Sequence, residues 1–465
     1  MGLGPQYTRW TVLSIGLLVE SIGGLFYMFG VYSQDLKERS WPGGEGEGGT
    51  LTQAQVSLIG SLSNIGGNLS PQWGFFYDAY GPRPTVVAGG LMGVVSWFLL
   101  YAALKYPGIK FPFWSLLAIA FFQGNSQAVT DCATVPTMAT LFPQNRGGAI
   151  GLTKAFVGLS GAMVTTIYVG LFRPDIESFM LFLTILIACV TVIATVFYNP
   201  AEPPNTRTED VGRSKAHFNW AYVMAFFLAA ELLAAALLDA FVSKESETLR
   251  LVMMILMLVL FVVLMAWVAT GRDLPLSSLQ GSLRLNSEAK EPLLKSPGSE
   301  SDVVAVWDEK ALGPQDYSLW RALATVSFWL QFLTFLVAGG CGLVVINNIA
   351  QINIARGGDK NLKDVFVSLI SIFNCAGRLF WGLSSDFALQ RWGICRPYFF
   401  GVVAAILGGV FVLLELFSGV WVLYVAAIFG GVRSRFLVFF SVLKCLRRQL
   451  NKSMRVCLGS RATGR

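Results

Sequence analysis

The sequence predicts an all-α, polytopic membrane protein. Hydrophobic residues make up 54% of the chain and charged residues only 14%, and the mean hydropathy is +0.58. Apolar runs of about 20 residues, long enough to cross a bilayer as a helix, recur along the chain. A soluble protein carries roughly 25% charged residues, so this chain has too little polar surface to coat a soluble core. The spans must be helices, because open strands would leave backbone groups unpaired in hydrocarbon.

The apolar runs fall into three groups. Six lie near 9–32, 54–77, 84–104, 112–137, 148–172 and 177–198, two near 219–241 and 249–269, and four near 323–349, 364–385, 396–417 and 419–442. They predict an N-terminal six-helix half over 1–200, two additional membrane helices over 201–270, a polar cytoplasmic linker over 271–320, an incomplete C-terminal half over 321–431 and a basic, atypical tail over 432–465.

Charge and composition argue against several functions. The net charge of +7 comes from residues spread through loops and the tail, which is typical of topology signals and lipid contacts. With no binding motif present, we expect no nucleic-acid partner. The seven cysteines form no Cys-x-x-Cys pair and His217 is the single histidine, so we expect no metal site, no cofactor and no enzymatic activity.

One loop pattern occurs twice. Trp-Gly-x-x-x-Asp, followed shortly by Arg-Pro, lies between the second and third spans of each half. Its members are Trp73, Gly74, Asp78 and Arg83 in the first copy, and Trp381, Gly382, Asp386 and Arg396 in the second. Glycine lets helices approach closely, and the aspartate can pair with arginine or accept from a helix N-terminus. We interpret the pair as gating latches; the alternative is a conformationally silent tight turn.

The repeated loop resembles the signature of the major facilitator superfamily, which lies on the cytoplasmic side; Phe76, Pro82 and the longer spacing of the second copy depart from it. More narrowly, residues 9–431 resemble the plant nodulin-like branch. The segments that carry this are Arg9-Trp10, Phe26–Gly30, Gln123-Gly124-Asn125, Phe142–Gly147, Gly151–Lys154 and Gly158–Gly161. The resemblance implies a major-facilitator-type helical bundle with six helices, two additional helices and then six more. This chain supplies about 12 of those 14 spans.

Several polar side chains lie inside predicted spans, where polar groups are costly and often functional. An unpaired charge there costs roughly 2.5–3.5 kcal/mol or more, so Glu20 and Lys154 should face each other, Asp131 or a water-filled cavity. The candidate substrate and coupling residues are Glu20, Asn64, Asn125, Asp131, Lys154 and Arg378. The asparagines could equally join helices together, and the charges could form a fixed structural ion pair.

These observations favour a secondary transporter that works by alternating access and is driven by an ion gradient. Arg378 precedes Asp386 by eight residues, much as an arginine does in the related monocarboxylate transporters, so the resemblance makes a small organic anion the first candidate, with a possible coupling proton. The alternative is a transport-inactive membrane sensor or scaffold, which the atypical tail favours. We expect residence in either the plasma membrane or the vacuolar membrane.

Two further expectations concern topology and the tail. The two-copy loop and the even span counts place the N-terminus, the linker and both loops on the cytoplasmic side. From Val432 onward the sequence becomes rich in dispersed Arg and Lys, and we expect this tail not to be the native end of the C-terminal half.

Overall fold

The computed structural model describes residues 7–69, 71–106, 109, 111–143, 145–200, 211–241, 247–271, 326, 328–329, 332–333, 340, 348–359, 362–392 and 397–432. Side chains at 381–383, 385–400 and a few scattered positions are outside this description. Every regular element in the described part is helical, and its β-type pairings are two isolated bridges, Tyr7 with Pro200 and Ser40 with Thr50.

Eight α-helices form the N-terminal half. They are α1 (Arg9–Gly23), α2 (Phe29–Glu38), α3 (Gln53–Asn68), α4 (Pro71–Tyr80), α5 (Pro82–Lys105), α6 (Phe113–Leu141), α7 (Arg146–Ile167) and α8 (Ile176–Phe197). A 3-10 turn, Leu25–Met28, joins α1 to α2, and a π-helical turn, Tyr168–Phe172, extends α7. The additional pair is α9 (Val211–Phe241) and α10 (Glu247–Ala269), and the C-terminal half contributes α11 (Leu362–Trp392), α12 (Pro397–Leu416) and α13 (Trp421–Val432).

The first two predicted spans are each broken in two. The first breaks after Gly23, where Gly24 lies directly against Ser160 and the Val157 carbonyl of α7; no larger residue would fit so close an approach. The second breaks between α3 and Pro71, because proline has no backbone N–H to continue the ladder and restricts the residue before it. Each break lies within four residues of a polar side chain of the same predicted span, Glu20 in the first and Asn68 in the second.

The predicted gating loop is mostly helix. Trp73, Gly74 and Asp78 lie on α4, and the turn itself is Gly81, which has a φ of 83°. Glycine adopts this left-handed conformation without the steric penalty of a side chain, so α5 can begin at once with Pro82. The predicted span 54–77 already included Trp73 and Gly74, and α4 continues through Asp78 to Tyr80. In the second copy, Trp381, Gly382 and Asp386 fall within α11, their side chains lie outside the described residues, and Arg396 lies outside them altogether.

The helices pack as one bundle in which α7 is central. It contacts α1, α6, α9 and α10, and it forms an extended interface with α11 of the C-terminal half. The largest apolar cluster accordingly contains buried residues from α1, α6, α7, α8, α9, α10 and α11, among them Leu17, Phe142, Phe156, Leu228, Met257 and Ile372. Burying α7 on nearly all sides gives its few polar residues a fixed environment.

The ends of the bundle are set by caps and ion pairs. At the end that carries the α2–α3 connection, Glu177 at the start of α8 pairs with Arg39 (2.8 Å) and Lys105 (3.0 Å). Asp175 caps α8, and hydrogen bonds from the hydroxyl and N–H of Ser178 lower the pKa of its carboxyl below the usual value. We call this end of the bundle the outer end, following the predicted topology.

Five described helices are long and apolar enough to cross a membrane: Pro82–Lys105, Arg146–Phe172, Ile176–Phe197, Ala216–Asp239 and Glu247–Ala269. Gly401–Leu416 and Trp421–Gly430 are shorter apolar helices. The total of about 12 spans stays a prediction, because the run near 323–349 lies mostly outside the described residues, as do the linker 271–320 and the tail beyond Val432.

The topology can be tested by cysteine labelling. In a background with the seven native cysteines replaced, we expect Ala79→Cys and Ser287→Cys to react with an impermeant maleimide from the same side of the membrane. Glu45→Cys, in the exposed α2–α3 connection, is the matched control and should react from the opposite side. Labelling of Ala79→Cys and Ser287→Cys from opposite sides would refute the topology.

Candidate substrate and coupling site

A buried ion pair lies near the middle of the N-terminal half. The Lys154 ammonium on α7 donates to Oδ1 of Asp131 on α6, and both residues are only 8% exposed. The Gln127 amide, one turn earlier on α6, approaches Oδ2 of Asp131 at 3.4 Å. A buried charge is tolerated when it is paired and hydrogen-bonded, and each member of this pair supplies what the other needs.

Glu20 adds a second carboxyl to the pair. It lies on α1, is fully buried, and accepts a hydrogen bond from the Thr134 hydroxyl through Oε1. Its Oε2 has no hydrogen-bond partner among the described residues and lies against Gly23 of the same helix. Glu20 interacts electrostatically with both Asp131 and Lys154. The three charged residues that the sequence predicted to lie together in this half are therefore one cluster.

Arg378 reaches this cluster from the C-terminal half. It is 6% exposed, and its guanidinium donates to the backbone carbonyl of Lys154, to Oδ1 of Asn374 at 2.8 Å and to the hydroxyl of Tyr27 at 3.3 Å. All three acceptors are neutral oxygens, and no carboxylate within the described residues pairs with Arg378. A guanidinium has five N–H donors, so it retains capacity for a further acceptor.

Residue spacing explains how these groups meet. Gln127, Asp131 and Thr134 follow one another at four and three residues along α6, which places them on one face of the helix. On α7, a Cβ at Gly158 would lie 2.8 Å from the backbone nitrogen of Cys375, so glycine there lets α7 and α11 approach closely. This close approach brings Arg378 to the backbone of Lys154.

Several buried polar atoms on α3, α6 and α11 have no hydrogen-bond partner in the part of the chain that the structure describes. Within the described residues, Oδ1 of Asn64, Nε2 of Gln123, Oε1 of Gln127 and Nδ2 of Asn374 form no hydrogen bond with protein atoms. Most buried side-chain polar atoms in proteins are hydrogen-bonded. Unpartnered atoms of this kind can hydrogen-bond to water or to a polar solute.

The two predicted asparagines differ from the charged residues. Asn125 donates to the carbonyls of Gly66 (2.9 Å) and Leu69 (3.0 Å) and accepts from the Trp73 indole at 2.8 Å. It thereby satisfies carbonyls freed where the helix breaks between α3 and α4, and all its hydrogen bonds lie within its own half. These contacts give Asn125 a structural role. Asn64, in contrast, donates to the Gly60 carbonyl one turn back on α3.

The described latch residues are not paired with one another. Asp78 is exposed and forms no hydrogen bond or ion pair in the part of the chain that the structure describes. Arg83 donates from Nε to the carbonyl of Thr195 on α8 at 2.5 Å. The first copy of the motif thus has a free carboxylate at the end of the bundle opposite the outer end.

The two side chains that hydrogen-bond to Arg378, which are Asn374 and Tyr27, were not predicted from the sequence. Asn374 lies one turn before Arg378, and that spacing could have indicated the hydrogen bond between them. Tyr27 gave no such signal, because its position depends on the break between α1 and α2. Its hydroxyl approaches Arg378 only because the chain departs from a continuous helix there.

The bundle and its buried charged cluster define an integral, multi-pass membrane protein. A family model described as Nodulin-like matches residues 9–268, and a second, described as "NFD4, C-terminal domain", matches residues 316–445. The chain belongs to the Nodulin-like family, which confirms the resemblance read from the sequence. The second match extends beyond Gly431, where we placed the end of the resemblance; the nature of the tail stays a prediction.

Two curated relatives are similar to this chain. Protein NUCLEAR FUSION DEFECTIVE 4 of Arabidopsis thaliana is 23% identical over 411 residues, which is 85% of this chain and 67% of that protein. The oxalate:formate antiporter of Oxalobacter formigenes is 27% identical over 152 residues, covering 32% of this chain and 33% of the antiporter. The family and the antiporter together indicate a membrane transporter.

The ion pair can be tested by stability measurements. Lys154→Met leaves Asp131 buried beside Glu20 without its cation, and we expect a loss of about 3–5 kcal/mol, measured as a lower melting temperature in detergent. Adding Asp131→Asn to Lys154→Met should restore most of that stability. Lys105→Met, which removes an exposed pair to Glu177, is the control and should cost about 1 kcal/mol or less. Equal losses for both lysines would contradict the assignment.

Proposed function

We propose that this protein is a secondary active transporter of a small organic anion, coupled to a proton, that works by alternating access. The single observation that carries the proposal is Arg378, a buried guanidinium at the contact between the two halves that binds only neutral oxygens. Guanidinium recognises carboxylate through two parallel, charge-assisted hydrogen bonds. An anionic substrate would supply the charged acceptor that the described residues do not.

The charges of the cluster support coupling to one proton. Glu20 and Asp131 balance Lys154 and Arg378 when all four are ionised. Protonating either carboxyl leaves one positive charge in excess, and a monoanion then restores neutrality. Proton and anion would therefore bind together more favourably than either alone, since an unbalanced buried charge is costly. This mutual dependence is the thermodynamic requirement for coupling.

Contacts at the outer end support alternating access. Ser57 binds Asn348 at 3.1 Å, Ser33 binds Gln351 at 3.2 Å, and Arg173 approaches Asp364 at 3.8 Å. Each of these contacts joins the N-terminal half to the C-terminal half. At the opposite end, Asp78 has no partner within the described residues. Contacts between the halves at the outer end are those expected of a rocking bundle that is closed at that end.

The proposal can be tested by uptake into proteoliposomes. With an imposed pH gradient and a panel of labelled small carboxylates, including oxalate and formate, we expect Arg378→Lys to weaken substrate binding about 10-fold to 100-fold, because the loss of a charge-assisted contact costs about 1.5–3 kcal/mol. Arg356→Lys is the matched control: that arginine binds the carbonyls of Leu414 and Phe417 away from the site, and uptake should be unchanged.

The coupling step has its own test. Lys154→Met should abolish uptake driven by the pH gradient. The variant lacks the positive charge that balances one of the two carboxylates, so protonating a carboxyl no longer leaves an excess positive charge for the anion. A fixed structural ion pair is the competing interpretation, and it expects the Glu20→Gln/Lys154→Met double variant to transport with unchanged pH dependence. That result would remove proton coupling. Absence of flux for every anion in the folded wild-type protein would favour the transport-inactive sensor or scaffold.

A further inference from the structure

A second buried carboxyl lies on the additional helix pair, far along the chain from the central cluster. Glu231 is 7% exposed, and neither of its oxygens has a hydrogen-bond partner or an ion pair within the described residues. It lies on α9 inside the apolar span Ala216–Asp239. Its neighbours on the chain, Leu228 and Leu232, are both fully buried in the main apolar cluster. The carboxyl therefore points into the bundle and away from lipid.

A cleft opens at the outer end directly beyond Glu231. It lies between α7, α9, α10 and α11 and holds about 30 Å³ of space accessible to the centre of a water molecule. That volume is enough for about one or two water molecules. Its polar lining includes Thr165, Thr166, Ser368, Asp239 and Arg250. The cleft is thus a partly polar opening at the outer end, and its lining on α9 ends at Ala235.

Helical spacing connects the cleft to Glu231. Ala235, which lines the cleft, follows Glu231 by four residues, and Asp239 follows Ala235 by four more; residues at this spacing share one helix face. On the facing helix α11, Ser371 lies one turn inward of the cleft residue Ser368, is fully buried, and has no hydrogen-bond partner for its hydroxyl in the described part of the chain. Polar groups on α9 and α11 therefore continue one turn below the floor of the cleft.

Other charged or titratable groups on α9 and on the segments packed against it include Lys154, Arg173, Arg250, Asp364, Cys375 and Arg378, with His217 and Asp239 on α9 itself. Arg173 and Arg250 bind Asp239 at 3.2 Å and 3.1 Å, Arg173 also approaches Asp364, and Lys154 binds Asp131. Glu231 is in none of these pairs.

We propose that Glu231 is a proton-binding site of the additional helix pair, which exchanges its proton with the outer compartment through the cleft lined by Ala235, Ser368 and Asp239. An ionised carboxylate cannot stay in an apolar interior without a partner except at high cost, so Glu231 changes its charge only when a proton is delivered or removed. The cleft, whose lining residue Ala235 is one turn of α9 from Glu231, supplies the path. This site is separate from the Glu20 cluster and does not depend on the substrate.

Infrared spectroscopy of the full chain in lipid tests the proposal without any substrate. We expect the wild-type protein to show the carbonyl band of a buried protonated carboxyl, with an amplitude that changes with pH, and we expect Glu231→Gln to lose that component. Glu415→Gln, which alters an exposed carboxyl on the apolar helix α12, should leave it unchanged. Glutamine keeps the size of the side chain, so the variant folds on the same packing.

Deuterium exchange tests the route. Transfer to heavy water shifts the carboxyl band, and Ala235→Leu, which narrows the floor of the cleft, should slow that shift at least roughly 10-fold because exchange then requires opening of the bundle. A band that Glu231→Gln does not alter, or that is constant across all pH values, would overturn the proton-binding site. Exchange at the wild-type rate in Ala235→Leu would overturn the cleft as its route.

Discussion

Ionised side chains inside a helical membrane bundle must find compensation within the protein, and this constraint arranges the centre of the molecule. Lys154 and Asp131 satisfy each other, Glu20 adds a carboxyl held by Thr134, and Arg378 makes up its hydrogen bonds with oxygens that carry no charge. Because the carbonyl of Lys154 is one of those oxygens, the N-terminal cluster and the C-terminal arginine form one network. Any movement between the halves has to break or exchange hydrogen bonds there.

Irregular backbone near the middle of the spans is what makes that network accessible. The break between α1 and α2 brings Tyr27 to Arg378, and the break between α3 and α4 is secured by Asn125, which binds two of the freed carbonyls. Non-helical backbone at this depth is tolerated where protein groups satisfy it. Glycine and proline therefore place the breaks, and polar side chains on other helices stabilise them. The site depends on residues that contact no charged group themselves.

Pattern reasoning predicted the parts that follow from local rules. Apolar run length predicted the helices, and the cost of buried charge predicted that Glu20, Asp131 and Lys154 would meet. Arg378 lies in the C-terminal half, which repeats the loop pattern of the N-terminal half, and this repeat predicted that Arg378 would face the N-terminal cluster. Tyr27 and the role of Asn125 could not be predicted, since both depend on where two helices break and how they then pack. The motif around Trp73 was predicted to end the second span and lead into a turn, and the turn is made at one glycine, Gly81.

The additional helices contact both halves of the bundle, which constrains how such a protein can move. α9 packs against α7 on one side and α11 on the other, and Arg173 links Asp239 of α9 to Asp364 of α11 at the outer end. If the halves rock about the centre, α9 must move with one half and must slide along the other half or separate from it. The ion pairs at the outer end then determine which half α9 moves with. Polar and small residues line this part of the interface, including Thr165, Ala235 and Ser368, and small residues permit sliding that interlocked apolar side chains would resist. The additional pair is in this arrangement a part of the moving interface and not an appendage to it.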